Sequence, residues 1–293
     1  MEITQVIDDL VKRFAASQSE LPAVSHDMPR SSTKMVILST HIPVTLPGRQ
    51  TIRRTTYSIA PAKQFRKDGN KYAIFVLDDF KKPVNVTIKV EANIYRYDLA
   101  TATASPLAAA LGEKERRQWL AHEYRLEKNA VVVKAAAETI EGKDDIEVAR
   151  KILSFIWSTL RRSNFTSKAL GAVGALREKR GDCTDHADLF VALCRAKGIP
   201  ARICDGYVMI PPKKGDTARH MWAEFYSKRL GWIPVDPFLR GFKLSRSYQL
   251  RNRYIYSTRT RNDKILEDNE FCVYRYYGAP LLRFEDPVVI HSK

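Results

Sequence analysis

Apolar positions along this chain change their spacing more than once, and each change marks a structural boundary. Ile3, Val6, Ile7, Leu10, Val11 and Phe14 recur every three or four residues, which predicts an amphipathic helix over residues 3–16. Pro22, Pro29 and the run Ser31-Ser32-Thr33 then break the period and read as a linker. From Met35 to Leu99 the texture becomes that of strands. Met35–Leu38, Tyr72–Leu77 and Val84–Val90 are short, rich in β-branched residues and bounded by Pro47-Gly48, Asp68-Gly69-Asn70 and Lys81-Lys82-Pro83. Val84–Val90 alternates apolar and polar residues strictly, the pattern of a strand buried on one face. Strands at this spacing predict a small all-β, sandwich-like module over residues 31–105.

Past Ser105-Pro106 the period lengthens again. Ala108–Leu126, Val131–Thr139 and Asp145–Leu160 carry helix formers at helical spacing. In the third, Ile146, Ala149, Ile152, Leu153, Ile156, Trp157 and Leu160 trace one stripe, with Asp144 or Asp145 as N-cap. Another helix runs from Cys183 to Lys197 and is closed by Gly198-Ile199-Pro200. Arg202–Ile210, Met221–Tyr226 and Trp232–Val235 then return to strand texture. Helices followed by a run of strands predict an α+β domain over residues 106–293, with residues 1–30 as a leading helix and linker.

Composition narrows the function classes. No apolar run approaches the ~18 residues that cross a bilayer, and Met1-Glu2-Ile3-Thr4 followed by Asp8-Asp9 lacks the basic start of an export signal. The cytoplasm is the expected location, a mature exported form being left open. Cys183, Cys194, Cys204 and Cys272 are too few and too irregular for a disulfide framework, and no Cys-x-x-Cys or His pair has metal-ligand spacing. Neither a metal nor a cofactor is expected. Cys194, Cys204 and Cys272 have apolar or aromatic neighbours and read as core residues. The net charge of +16 favours polyanionic or acidic partners. It is densest over Arg240–Lys264, where Tyr248, Tyr254 and Tyr256 interleave with the cations. That segment reads first as a strand with a solvated basic face, and nucleic acid is not an expected partner.

Three short strings carry the chemistry: Gly181-Asp182-Cys183-Thr184-Asp185-His186, Arg219-His220-Met221-Trp222-Ala223-Glu224 and Gly231-Trp232-Ile233-Pro234-Val235-Asp236-Pro237. Cys183 opens a helix, where unpaired N–H groups and the helix dipole favour an anion, although Asp182 and Asp185 oppose it. His220 stands at the start of a strand after a polar loop, held by the sheet and open to a cleft. Asp236 ends the next strand, from which a carboxylate can orient the imidazole. Thiol, base and orienting acid are the parts of nucleophilic catalysis. The Cys183 N–H is a natural oxyanion donor, with Asn164 a candidate for a second. His186, Trp222 and Trp232 are candidates for substrate contact, core packing being the default for the tryptophans.

Those strings, with Ala196-Lys197-Gly198-Ile199-Pro200-Ala201-Arg202 and Gly206-Tyr207, resemble the transglutaminase-like superfamily with its papain-like thiol fold, over roughly residues 145–240. The resemblance is closer to bacterial proteins described as cysteine proteases than to the calcium-dependent animal enzymes. It implies a helix bundle carrying the Cys helix, packed on an antiparallel sheet, with Cys183 as nucleophile, His220 as general base and acid, and Asp236 as its partner. The implied activity is acyl transfer from an amide through a thioester, as a peptidase or amidase, or as a protein cross-linking transglutaminase. The implied partner is a protein or peptide, acidic or derived from the cell wall. The alternative is a non-catalytic relative that uses its basic surface to hold a polyanion.

Overall fold

Acidic caps set the starts of two helices in the middle of the chain. The computed structural model describes residues 33–78, 84–102, 111–164, 168–209, 217–239, 249–250, 253–267 and 271–278. The predicted helix at residues 3–16 lies outside them. The helices are α1 (Glu113–Trp119), α2 (Val131–Glu138), α3 (Asp145–Thr159), α4 (Gly171–Glu178) and α5 (Cys183–Ala196). Asp144 caps α3 by accepting the Glu147 amide at 2.8 Å. Asp182 caps α5 by accepting the amides of Thr184 and Asp185, while the Asp185 carboxylate accepts the Asp182 amide, closing a capping box.

The helix predicted over Ala108–Leu126 is corrected: α1 stops at Trp119. Tertiary partners claim the carbonyls beyond it. Arg125 adopts φ 67° and its carbonyl accepts the Ala172 amide at 2.9 Å, while the Ala121 carbonyl accepts the Arg195 guanidinium at 2.8 Å. A continuous helix would spend the Ala121 carbonyl on the Arg125 amide instead.

Every residue of α5 from Thr184 to Arg195 is buried. It therefore runs through the interior, and its charges are paired: Asp188 accepts the Arg261 guanidinium at 3.0 Å, and Arg195 reaches Glu123 and the Ala201 carbonyl. Against it lies an antiparallel sheet of β9 (Ala201–Met209), β10 (Thr217–Ser227), β11 (Gly231–Val235) and β13 (Tyr254–Thr258), in the order β11-β10-β9-β13. Phe190 of α5 meets Phe225 of β10 edge-on at 6.2 Å, and Ile203, Met221, Ile233 and Val235 join the same core. Helices on one face of an antiparallel sheet make this an α+β fold.

The far face of that sheet is covered too. Cys204, Val208, Trp222, Tyr254 and Tyr256 pack with Val44 and Leu46. Those two residues lie between β1 (Thr33–Ile42) and β2 (Gln50–Tyr57). At Gly206, opposite both His220 and Tyr256, an added Cβ would stand 1.9 Å from the Ile255 carbonyl oxygen. Only glycine admits β13 this close to β9.

The remaining strands are β3 (Lys63–Lys67), β4 (Asn70–Leu77), β5 (Ile88–Ile94), β6 (Tyr97–Asp98), β7 (Arg161–Arg162), β8 (Arg180–Gly181), β12 (Gln249–Leu250) and β14 (Cys272–Gly278). A second sheet runs β14-β1-β4-β3, so its outer strand arrives from the far end of the chain. The ribbon β2–β5 packs on it through Ile42, Ala73, Phe75, Tyr57 and Ile88. The strand predicted over Val84–Val90 starts at Ile88, because its partner β2 ends at Tyr57, directly opposite. No helix among the described residues is long and apolar enough to cross a membrane.

Candidate active site

Cys183 is the first residue of α5 and is half-buried, whereas Cys194 and Cys204 are fully buried and Cys272 is half-buried in a strand. The approach to it is fixed by a short parallel pairing in which Arg162 lies opposite Gly181 and the Ser163 amide donates to the Gly181 carbonyl at 2.9 Å. The cap engages the amides of Thr184 and Asp185 and not that of Cys183. That first N–H points out of the helix start, where a developing oxyanion would gain most from it. The Asp185 carboxyl is itself raised to about 6, by burial and by the charge of Asp182.

His220 sits on β10 and Asp236 directly follows β11, and the pairing Ala223↔Val235 brings them side by side. The imidazole Nε2 and Asp236 Oδ2 are 2.7 Å apart. This leaves Nδ1 as the ring nitrogen not engaged by Asp236, and Cys183 lies close enough for its sulfur to act on the imidazole. Burial works against the imidazolium, but the Asp236 carboxylate, its hydrogen bond and the Cys183 sulfur together push the His220 pKa up to about 10. Burial likewise opposes the Asp236 charge, yet His220, Tyr254 and the Phe238 amide hold its pKa below the usual carboxylate range. The three predicted residues are therefore in one contact chain.

Tyr254 is a fourth member that sequence reasoning missed. Its hydroxyl donates to Asp236 Oδ2 at 2.7 Å, the oxygen that faces His220, while the Phe238 amide donates to Oδ1 at 3.1 Å. The carboxylate is thus held on both oxygens and cannot rotate away from the ring. The only signal in the chain was an aromatic in a basic strand. We expect Tyr254→Phe to lower kcat by about tenfold to a hundredfold with KM unchanged, since one hydrogen bond to a charged group is worth roughly 1.5–3 kcal/mol. Asp236 supports folding above the unfolded carboxylate pKa and ceases to as pH falls through its depressed value. Losing a donor raises that value, so the acid limb of urea-measured stability should move to higher pH in Tyr254→Phe.

Other predicted residues take different roles. His186 is fully buried, with Nδ1 2.7 Å from the Asp182 carbonyl oxygen and its ring edge-on to Phe238, so it braces the helix start. Trp222 is fully buried and lies nearly parallel to the His220 ring at 6.2 Å, backing the imidazole from the core. Trp232 packs edge-on to Trp119 and Tyr226 under the Arg202 guanidinium, 3.7 Å from its ring centre. Asn164 is exposed, on the segment beside Gly181. In the basic segment, Tyr254 and Tyr256 are buried and Arg261 is buried against Asp188, so its solvated-face reading fails at Arg261.

The model of the family described as "Transglutaminase-like superfamily" matches residues 134–237, the span that holds Cys183, His220 and Asp236. The chain carries a transglutaminase-like core. An uncharacterized protein of Mycobacterium tuberculosis is 30% identical over 135 residues, covering 40% of this chain and 43% of that protein. An uncharacterized protein of Haemophilus influenzae is 31% identical over 133 residues, covering 36% of this chain and 35% of the relative. Both matches span less than half of the relative. The crystal structure of a candidate cysteine protease from Cytophaga hutchinsonii superposes with a TM-score of 0.55 at 16% identity, covering 87% of this chain and 88% of that one. At that identity the likeness concerns the fold alone.

Proposed function

We propose that this transglutaminase-like chain is a cysteine-dependent acyl-transfer enzyme acting on amide bonds in proteins or peptides. The Cys183 thiolate attacks the amide carbonyl carbon, and the oxyanion draws on the Cys183 N–H, with Asn164 the candidate for a second donor. The C–N bond breaks as His220 passes its proton to the departing amine, leaving a thioester on Cys183. Water, losing a proton to His220, then attacks the thioester, and the thiolate leaves. Asp236 orients the ring and stabilises its charge throughout. Water is the expected acceptor because it needs no second binding channel; a lysine-like amine would make the same centre cross-link. In this reading residues 31–105, with β14 added to their sheet, form a module that positions the substrate or a partner, and the positive charge favours acidic or wall-derived substrates.

The observation that carries the proposal is the chain of contacts from the half-buried Cys183 through His220 to Asp236. Intact mass spectrometry with glutamine peptides and amine donors tests it. A covalent acyl adduct should form on the wild type and not on Cys183→Ala, and the released products will separate hydrolysis from cross-linking. No adduct on either protein, with Cys183 alkylated no faster than an ordinary thiol, would favour a silent site.

A further inference from the structure

The wall of this site that faces the start of α5 carries charge that the acyl-transfer chemistry does not use. Arg161, Arg162, Lys179 and Arg180 are all exposed, and Glu178 binds Arg180. Asp182 and Asp185 lie close by, but their oxygens are turned inward onto backbone amides. Two routes tie Arg162 in particular to the reacting groups. Through the backbone, it is paired with Gly181, two residues before Cys183. With strands about 4.8 Å apart and about 3.5 Å per residue, its Cα lies within roughly 12 Å of that of Cys183. Through side chains, its guanidinium carbon stands 4.6 Å from the centre of the Phe238 ring, which meets the His220 ring at 6.2 Å. The guanidinium also donates to the Phe238 carbonyl, which fixes it beside the ring that meets His220. Arg161, its neighbour on the same strand, points to the opposite face.

We propose that Arg162 is the specificity-determining residue of this site and that it binds a carboxylate on the acyl-donor substrate, one or two residues from the amide carbon that Cys183 attacks. This rests on the acyl-transfer reading and adds the substrate class: peptides or peptide-like polymers with an acidic group beside the cleaved bond. A guanidinium seated on an aromatic ring is partly ordered before binding, so pairing with a carboxylate sacrifices little side-chain freedom. An arginine over the same cleft would also disfavour a lysine at that position.

Two measurements test it. In the first, kcat/KM is compared on peptide amides that differ only in Glu, Gln or Lys beside the acyl-donor residue, for wild type, Arg162→Ala, Arg162→Glu and Arg161→Ala. The wild type should prefer Glu over Gln on the order of tenfold, with Lys last. Arg162→Ala should bring Glu and Gln within about twofold, Arg162→Glu should reverse the order, and Arg161→Ala should retain it. In the second, Cys183 is alkylated with iodoacetate and with iodoacetamide and followed by intact mass, which requires no peptide turnover. The ratio of the two rates should fall severalfold in Arg162→Ala and stay in place in Arg161→Ala. Equal loss on Glu and Gln peptides, or an unchanged alkylation ratio in Arg162→Ala, would overturn the assignment. Alkylation of wild-type Cys183 without turnover of any peptide would tell against the acyl-transfer reading instead, and the ratio would still decide on Arg162.

Discussion

Cys183→Ala is expected to lose amide turnover by at least about 10⁴-fold while its melting temperature stays within a few degrees of the wild type. The size follows from the way such groups act as a unit: without the sulfur, His220 and Asp236 have no nucleophile to serve. His220→Ala should cost about as much, and the double variant little more. Fold integrity separates this outcome from unfolding, because Cys183 is half-buried at a helix start that Asp182 and Asp185 cap without it.

The same centre predicts a pH signature. His220 keeps its proton to about pH 10, against an ordinary value near 6.5. Amide turnover should therefore fall away as pH rises through about 10, where the leaving amine loses its acid. Alkylation by iodoacetamide needs only the thiolate and should show no such loss. The sign for stability is the same: a raised histidine pKa stabilises the fold fully below its unfolded value, and the contribution is lost as pH climbs through the folded one. Because the Cys183 sulfur is one of the groups that raise it, His220 in Cys183→Ala should titrate at lower pH. NMR titration of the ring reads this directly. An identical titration in both proteins would mean that the sulfur does not touch the ring.

The three candidate site residues could be picked out because each lies in a short string whose local chemistry marks it: a capped helix start, a strand mouth, a strand end before proline. Tyr254 could not be, since a tyrosine that reaches a carboxylate and one that only fills a core occupy the same kind of strand. The order β11-β10-β9-β13, with Gly206 letting β13 close in, decides between them. The α+β class of the core was likewise readable from its periodicities. The end of α1 was not, because it depends on Arg195 and Ala172, far along the chain. The return of β14 to pair with β1 is of the same kind: the strand's partner is more than 200 residues away and leaves no local trace.

Glu224→Gln is expected to destabilise the fold by about 3–5 kcal/mol, lowering the melting temperature by roughly 10 °C for a chain of this size. Glu224 was visible in the sequence only as the end of the His220 string, yet it is the hub of a buried ion network. One of its oxygens accepts Arg202 at 2.6 and 2.9 Å, and the other accepts Arg49 at 2.9 Å. Arg49 also donates to the Trp232 carbonyl at 2.7 Å, and the adjacent Gln50 is fully buried with hydrogen bonds to both backbone groups of Tyr256. The segment between β1 and β2 is thereby fastened to three strands of the sheet that holds His220 and Asp236. Burial raises the Glu224 pKa, but Arg202, Arg49 and Arg259 outweigh it and push it down to about 2.

An amide at position 224 keeps the shape and removes the charge, so Arg49 and Arg202 stay buried with nothing to neutralise them. That is the costly half of breaking a buried pair. The triple variant Arg49→Met/Arg202→Met/Glu224→Leu removes the three hydrogen-bonded charges, leaving only Arg259 of the arginines that act on Glu224, and should recover part of the loss. The acid side supplies a second check. The carboxylate stabilises the fold above its unfolded pKa near 4.3, and that contribution disappears as pH falls towards 2, so Glu224→Gln should lack this part of the acid limb. Glu224 lies four residues from His220 on the same strand and the same face. A loosened network should therefore reach the centre as well, and iodoacetamide should label Cys183 more slowly in Glu224→Gln at temperatures well below its melting point. A melting temperature within 1 °C of the wild type would show instead that the arginines find other partners and that the fastening does not depend on this carboxylate.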